Sequence, residues 1–134
     1  MSGARFSGYA AIFDTPDHGG DIVRRGAFAR AVGKGPLPLF RQHDARRRIG
    51  SVEALVEDDC GLRVIGQLTA GEMLSAGEGL SFGYRVRRAV SGQIEGGTYR
   101  ELIDLDLIEV SVVTNPMQPL ARVTDIHKGE DDGL

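Results

Sequence analysis

Residues 98–114, TYRELIDLDLIEVSVVT, form the longest β-like run in the chain, and their reading decides the fold. Simple alternation predicts that Leu105, Leu107, Glu109, Ser111 and Val113 share one face, with Ile108, Val110 and Val112 on the other. Both faces are then largely apolar. A strand of that kind belongs at the centre of a closed sheet or under covering helices. Asn115 to Pro119, NPMQP, ends the run.

Moving upstream, residues 80–90 (LSFGYRVRRAV) alternate again. Leu80, Phe82, Tyr84 and Val86 point one way, and Ser81, Gly83, Arg85 and Arg87 the other. Residues 91–97 read as a turn. Residues 48–56 and 62–68 flank DDCG (58–61) and read as a β-hairpin. Between that hairpin and the Ser81 run, TAGEMLSAG (69–77) allows at most a short helix. Nearer the start, RFSGYAAIF (5–13) reads as a strand and DTPDHGG (14–20) as a loop. Phe28 and Val32 lie four apart, the spacing of a short helix that Gly33 would end. Residues 37–40 form a short apolar run leading into His43.

These elements predict a mainly β chain with short helices (α+β): a small closed β-barrel or sandwich of six or seven strands. With no repeat, low-complexity tract or linker, residues 1–123 read as a single domain, followed by a polar, disordered tail over 124–134. A length of 134 residues suits one core. The net charge of -3 argues against general affinity for nucleic acid or membranes. No apolar run approaches the roughly 20 residues needed to cross a bilayer. The N-terminus lacks a signal-peptide core, so the protein is expected to stay where it is made. The single cysteine, Cys60, excludes an internal disulfide and suits a reducing compartment. Its neighbours Asp58 and Asp59 oppose thiolate formation, which disfavours Cys60 as a nucleophile.

Few residues remain that could do chemistry. Ser81 and Ser111 are hydroxyls in β context; His18, His43 and His127 are the bases. No His, Cys, Asp or Glu cluster has metal-ligand spacing, and neither a P-loop nor a dinucleotide fingerprint occurs. GxSxG is missing. Pairs such as Asp104 and Asp106 carry no weight in an acidic chain. His43, in LFRQHDARRRIG, sits at a strand end, where catalytic groups are common. Taken alone, a surface-loop histidine is the simpler reading. His18 and His127 read as solvated. Ser81, in GLSFGY, turns its hydroxyl away from Leu80 and Phe82, and Gly79 and Gly83 leave room for another backbone beside it. An ordinary strand serine facing water fits equally well.

The ordered segments GYAAIFDTPDHGGDIVRRGAFARAV, LPLFRQHD, IGSVEALVEDDCGLRVIGQL, GLSFGYRV and LIEVSVVTNPMQPLARV resemble the prohead (capsid maturation) proteases of tailed phages, the HK97 type. They span about residues 5–123. The resemblance implies a herpesvirus-protease-like barrel and a serine endopeptidase without cofactor or metal. It implies His43 of QHD as base, Ser81 of LSFGY as nucleophile and Glu109 of LIEVSVV as the group that orients the imidazole. Ser111, on the face of Glu109, would be a supporting hydrogen-bond donor behind these groups. The implied substrate is the major capsid protein precursor, cut in its scaffold segment inside an assembling procapsid in the bacterial cytoplasm. Self-cleavage and self-association are expected too, in a phage or a phage-like particle such as a gene transfer agent. Arg41, Arg46, Arg47 and Arg48 read either as a solvated loop or as a contact for an acidic segment of that precursor. One departure stands out: only TAGEMLSAGE separates Leu68 from Gly79, where the family carries a longer helical insert. This keeps a non-enzymatic capsid-assembly module as the alternative. A third reading, a small β-barrel ligand-binding protein, requires a closed pocket away from His43.

Overall fold

A computed structural model describes residues 3–94 and 96–128. Its strands are β1 (Arg5–Ile12), β2 (Asp21–Val23), β3 (Leu37–Arg41), β4 (Asp44–Glu57), β5 (Gly61–Leu68), β6 (Gly79–Ile94), β7 (Gly97–Val113) and β8 (Val123–His127). The central position expected of the long run is held by β7. One of its edges takes β6 antiparallel along nearly its whole length. The other edge is shared by two short parallel strands: β2 beside Arg100–Leu102 and β3 beside Val110–Val112. Between them, Leu105 N–H donates to Ala27 C=O at 3.0 Å, so the connecting chain completes that edge. From β3 the sheet continues through β4, β5, β1 and β8, all antiparallel. Phe6, Phe28, Leu39, Leu62, Leu80 and Leu105 fill the core it encloses.

Four expectations need correction. First, the sheet does not close into a barrel: its path ends on β2 and β8, which do not pair with each other. These end strands have only three and five residues, and the flanks are joined by isolated bridges, Phe13–Val23, Pro16–Ile22 and Gly79–Arg122, and by single bonds such as Leu80 N–H to Ala121 C=O at 2.8 Å.

Second, there is no helix among the described residues. Around Phe28 the bonds Ala27→Arg24, Ala29→Gly26 and Ala31→Phe28 each close a three-residue step. Only Val32→Phe28 spans four. Gly26 and Gly33, at φ 89° and 84°, turn the backbone left-handed at both ends of the segment, so a helix cannot propagate. Gly71 and Gly77, at φ 91° and 95°, do the same to residues 69–77.

Third, the strands number eight among the described residues, and the last runs into the expected tail. Val123–His127 pairs with β1, and Val123 is buried. Residues 129–134 lie outside the described residues.

Fourth, the alternation along β7 is broken. Gly83 pairs with Glu109, but Tyr84 pairs with Leu107, which leaves Ile108 as an extra residue in a β-bulge. One extra residue exchanges the faces. Leu105 and Leu107 therefore join Val110 and Val112 on the core side, while Ile108 is 46% exposed. Phe82 and Tyr84 lie on the same core side, their ring centroids 4.9 Å apart, and Phe28 packs edge-on against Phe82 at 5.2 Å. Glu109 and Ser111 keep the opposite face.

The bulge makes a testable distinction between two residues that simple alternation places on opposite sides in the wrong sense. Ile108→Lys is expected to change unfolding free energy by no more than about 0.5 kcal/mol, as for an exposed site. Leu105→Lys buries an unpaired charge and is expected to abolish cooperative folding. Urea denaturation followed by circular dichroism checks both; equal effects of the two would remove the bulge.

Candidate active site

His43 is the second residue of a two-residue turn between β3 and β4, closed by the pair Arg41–Asp44. Both turn residues are left-handed: Gln42 at φ 51° and His43 at φ 60°. Two positive φ values match the twist of a hairpin as in a type I′ turn, which normally takes Asn-Gly. Neither Gln nor His is favoured there, and such positions cost on the order of 1–3 kcal/mol each. Tertiary bonds hold the conformation. Gln42 N–H donates to Val112 C=O at 2.9 Å, and the Gln42 amide bonds Thr114 twice, Nε2 to Oγ1 at 2.8 Å and Oε1 from N–H at 3.1 Å. His43 N–H donates to Ser111 Oγ at 3.1 Å.

This turn folds over the outer face of β7, where Glu109 and Ser111 stand. His43 Nδ1 lies 2.7 Å from Glu109 Oε2. A carboxylate can only accept, so Nδ1 carries the proton and Nε2 is left with the lone pair. Ser111 Oγ donates to the other carboxylate oxygen, Oε1, at 2.7 Å. Ser111 is fully buried, and its oxygen both accepts from His43 and donates to Glu109, so its polar capacity is used. Glu109 is 8% exposed. A buried carboxylate is costly unless bonded, and here each oxygen has a donor. The hydrogen bond to Glu109 raises the His43 pKa above 6.5; partial burial opposes it, and the carboxylate's charge adds to the rise.

Ser81 faces the same group. It pairs directly with Ser111 across the β6–β7 ladder, and Gly83 pairs with Glu109. Directly paired side chains share a face, with Cβ atoms about 4.5–5.5 Å apart. Ser81 is half-buried, and among the described residues neither its hydroxyl nor His43 Nε2 makes a hydrogen bond. His43, Glu109 and Ser111 are thus in direct contact, with Ser81 next to them. His18 lies in the 14–20 loop and His127 at the end of β8. Cys60 is exposed in the β4–β5 turn. Among the described residues, no group of three or more metal-ligating side chains occurs.

Two participants were not legible in the sequence as such. Gln42 clamps the strained turn, and nothing local marks it. Gly83 has a different role from the one its neighbourhood suggests. The space above it admits a side chain, not another backbone: a Cβ there would lie within bonding range of Glu109 Oε2 and 2.8 Å from its Cδ. Gly83 therefore lets the carboxylate lie across β6 toward His43.

Comparison with known proteins gives the chain a family and a fold. Residues 2–132 match the family described as "Caudovirus prohead serine protease". The "Prohead protease" of Enterobacteria phage HK97 is 33% identical over 131 residues, covering 88% of this chain and 58% of that protein. The chain thus spans less than two thirds of that relative. A solved structure of KSHV protease in complex with a hexapeptide phosphonate inhibitor superposes with a TM-score of 0.65 over 90% of this chain and 63% of that one. At 14% identity, that likeness shows a shared fold.

Two substitutions test the His43–Glu109 contact. His43 binds its proton more tightly folded than unfolded, so its contribution to stability is full below about pH 6.5 and is lost as pH rises through the raised folded value. Glu109→Gln is expected to bring the His43 pKa, read by NMR titration, back down toward 6.5 and to remove that slope. Gly83→Ala is expected to do the same without touching either partner, by displacing the carboxylate. An unchanged His43 titration in both variants would dissolve the contact.

Proposed function

Because the chain belongs to the caudovirus prohead serine protease family, we propose that it is a serine endopeptidase that matures a capsid precursor. The observation that carries this reading is the 2.7 Å contact from a buried carboxylate to His43 Nδ1, which directs Nε2 away from Glu109. In the proposed mechanism, His43 Nε2 accepts the Ser81 proton as Ser81 Oγ attacks the scissile carbonyl carbon. The tetrahedral adduct collapses as His43 gives that proton to the departing amine. The resulting acyl-enzyme is opened by water, which His43 deprotonates in turn. Glu109 fixes the imidazole tautomer and stabilises the imidazolium, staying ionised throughout. Ser111 holds the carboxylate from its other oxygen.

The substrate we assign is the scaffold segment of the major capsid protein precursor, cut inside an assembling procapsid in the bacterial cytoplasm. The enzyme also cuts itself and self-associates. The particle is a phage or a domesticated relative such as a gene transfer agent. One observation supports the location: the family is one of prohead proteases. The short connection before β6 is anchored to the sheet. Residues 69–78 fold back on the sheet through Gly77 N–H to Val123 C=O and Val123 N–H to Glu78 C=O, both 2.8 Å. That weighs against the assembly-module alternative.

Co-expression with the cognate capsid protein, read by the mass of the capsid subunit, tests the proposal. Wild type is expected to trim the subunit, Ser81→Ala to leave it whole, and Glu109→Gln to slow trimming on the order of 10³–10⁴-fold, as loss of the orienting acid does in serine triads. Equal trimming by wild type and Ser81→Ala would remove Ser81 as nucleophile. No trimming by either would favour the assembly module.

A further inference from the structure

Beside the His43 turn the surface opens into a cavity of about 460 Å³. Its walls are residues 77–79, leading into β6, and the end of β7 with Gln42. Three arginines and one acid line it: Arg41, Arg47, Arg122 and Glu78. The cavity begins at the Gly79–Val113 pair, two residues along the ladder from Ser81–Ser111. At strand spacing that is roughly 7 Å from Ser81, the separation of alternate side chains in an extended peptide.

The charges in this cavity are not balanced within the protein. Arg122 donates to the carbonyls of Pro119 and Gly77 at 2.6 and 2.8 Å, which are neutral acceptors. Arg41 donates to Met73 C=O at 3.0 Å and reaches Glu72 and Glu78 only at 4.0 Å. Arg47 has no hydrogen-bond or ion-pair partner among the described residues. Arg47 stands out because Phe40 pairs with Arg48 and Arg41 with Asp44, leaving residues 45–47 bulged from the β3–β4 ladder. The other two arginines near His43 are committed elsewhere: Arg46 to Asp44 at 3.2 Å, and Arg48 to Gly50 C=O and Ser51 Oγ.

We propose that this cavity is a substrate subsite that takes an acidic side chain, Asp or Glu, within two or three residues of the scissile bond. The assignment rests on Ser81 as nucleophile. Backbone carbonyls hold Arg122 in place without quenching its charge, so it is set to receive a carboxylate, while Arg41, 4.0 Å from Glu72 and Glu78, adds to the positive field. Arg47 supplies a third cation from the rim. A charge-assisted pair gains most in a partly enclosed site such as this one.

The test uses internally quenched peptides drawn from the capsid scaffold segment, each with one Asp or Glu exchanged for Asn or Gln. Wild type is expected to cut the acidic peptides at least about tenfold faster in kcat/KM, since one good charged contact is worth about that factor. In Arg47→Gln/Arg122→Gln the ratio of acidic to neutral kcat/KM, compared within that variant, is expected to fall severalfold toward one. No preference for acid in wild type, or one unchanged in the double variant, overturns the subsite. If wild type cuts no peptide, Ser81 catalysis fails, and anisotropy of the same labelled peptides on the Ser81→Ala protein decides separately. Acid-dependent binding lost with both arginines supports the subsite; equal binding of acidic and neutral peptides overturns it.

Discussion

Strand β7 is paired along both edges, and that double pairing is the constraint on which the site depends. The β6 ladder brings Ser81 opposite Ser111 and Gly83 opposite Glu109. The β3 ladder brings the His43 turn over the same residues from the other side. Neither neighbour could shift by one residue without moving its whole side-chain set to the wrong face. Three polar groups distant in sequence thus meet with a 2.7 Å contact between two of them, with no loop required to close over them.

A buried glutamate on such a strand is a risk that the local structure manages in three ways. Each carboxylate oxygen has a donor, His43 on one side and Ser111 on the other. Gly83 removes a Cβ that would collide with it. The bulge at Ile108 lets the same strand carry Leu105 and Leu107 into the core and Glu109 out of it. A strictly alternating strand would have put the carboxylate on the same face as those leucines.

Much of this was legible in the sequence, and the exceptions have physical causes. The runs around Ser81, the DDCG hairpin and residues 98–114 all form strands, because alternation and turn residues are local signals. The bulge was not legible, since LDLIEV alternates as well with a slip as without one. The helices expected near Phe28 and in 69–77 failed because Gly26, Gly33, Gly71 and Gly77 take positive φ, a conformation that glycine permits and its presence in the sequence does not announce. Strand β8 was hidden by its polar surface residues; only Val123 is fully buried. At the site, His43, Glu109 and Ser81 had candidate status from their types and from a family resemblance. Their contacts depend on register, which the sequence does not print. Gln42 and Gly83 had no chemical signature, because one works through backbone geometry and the other through a missing atom.

The left-handed pair Gln42–His43 has a consequence for how this protein can change. An Asn-Gly turn at the same place would relax the backbone and raise stability. It would also delete the imidazole. Selection for thermal robustness alone would therefore favour replacing Gln-His at this turn, and selection for a base at this place would oppose it. At this turn backbone ease and side-chain chemistry therefore pull in opposite directions, and the sequence carries the second.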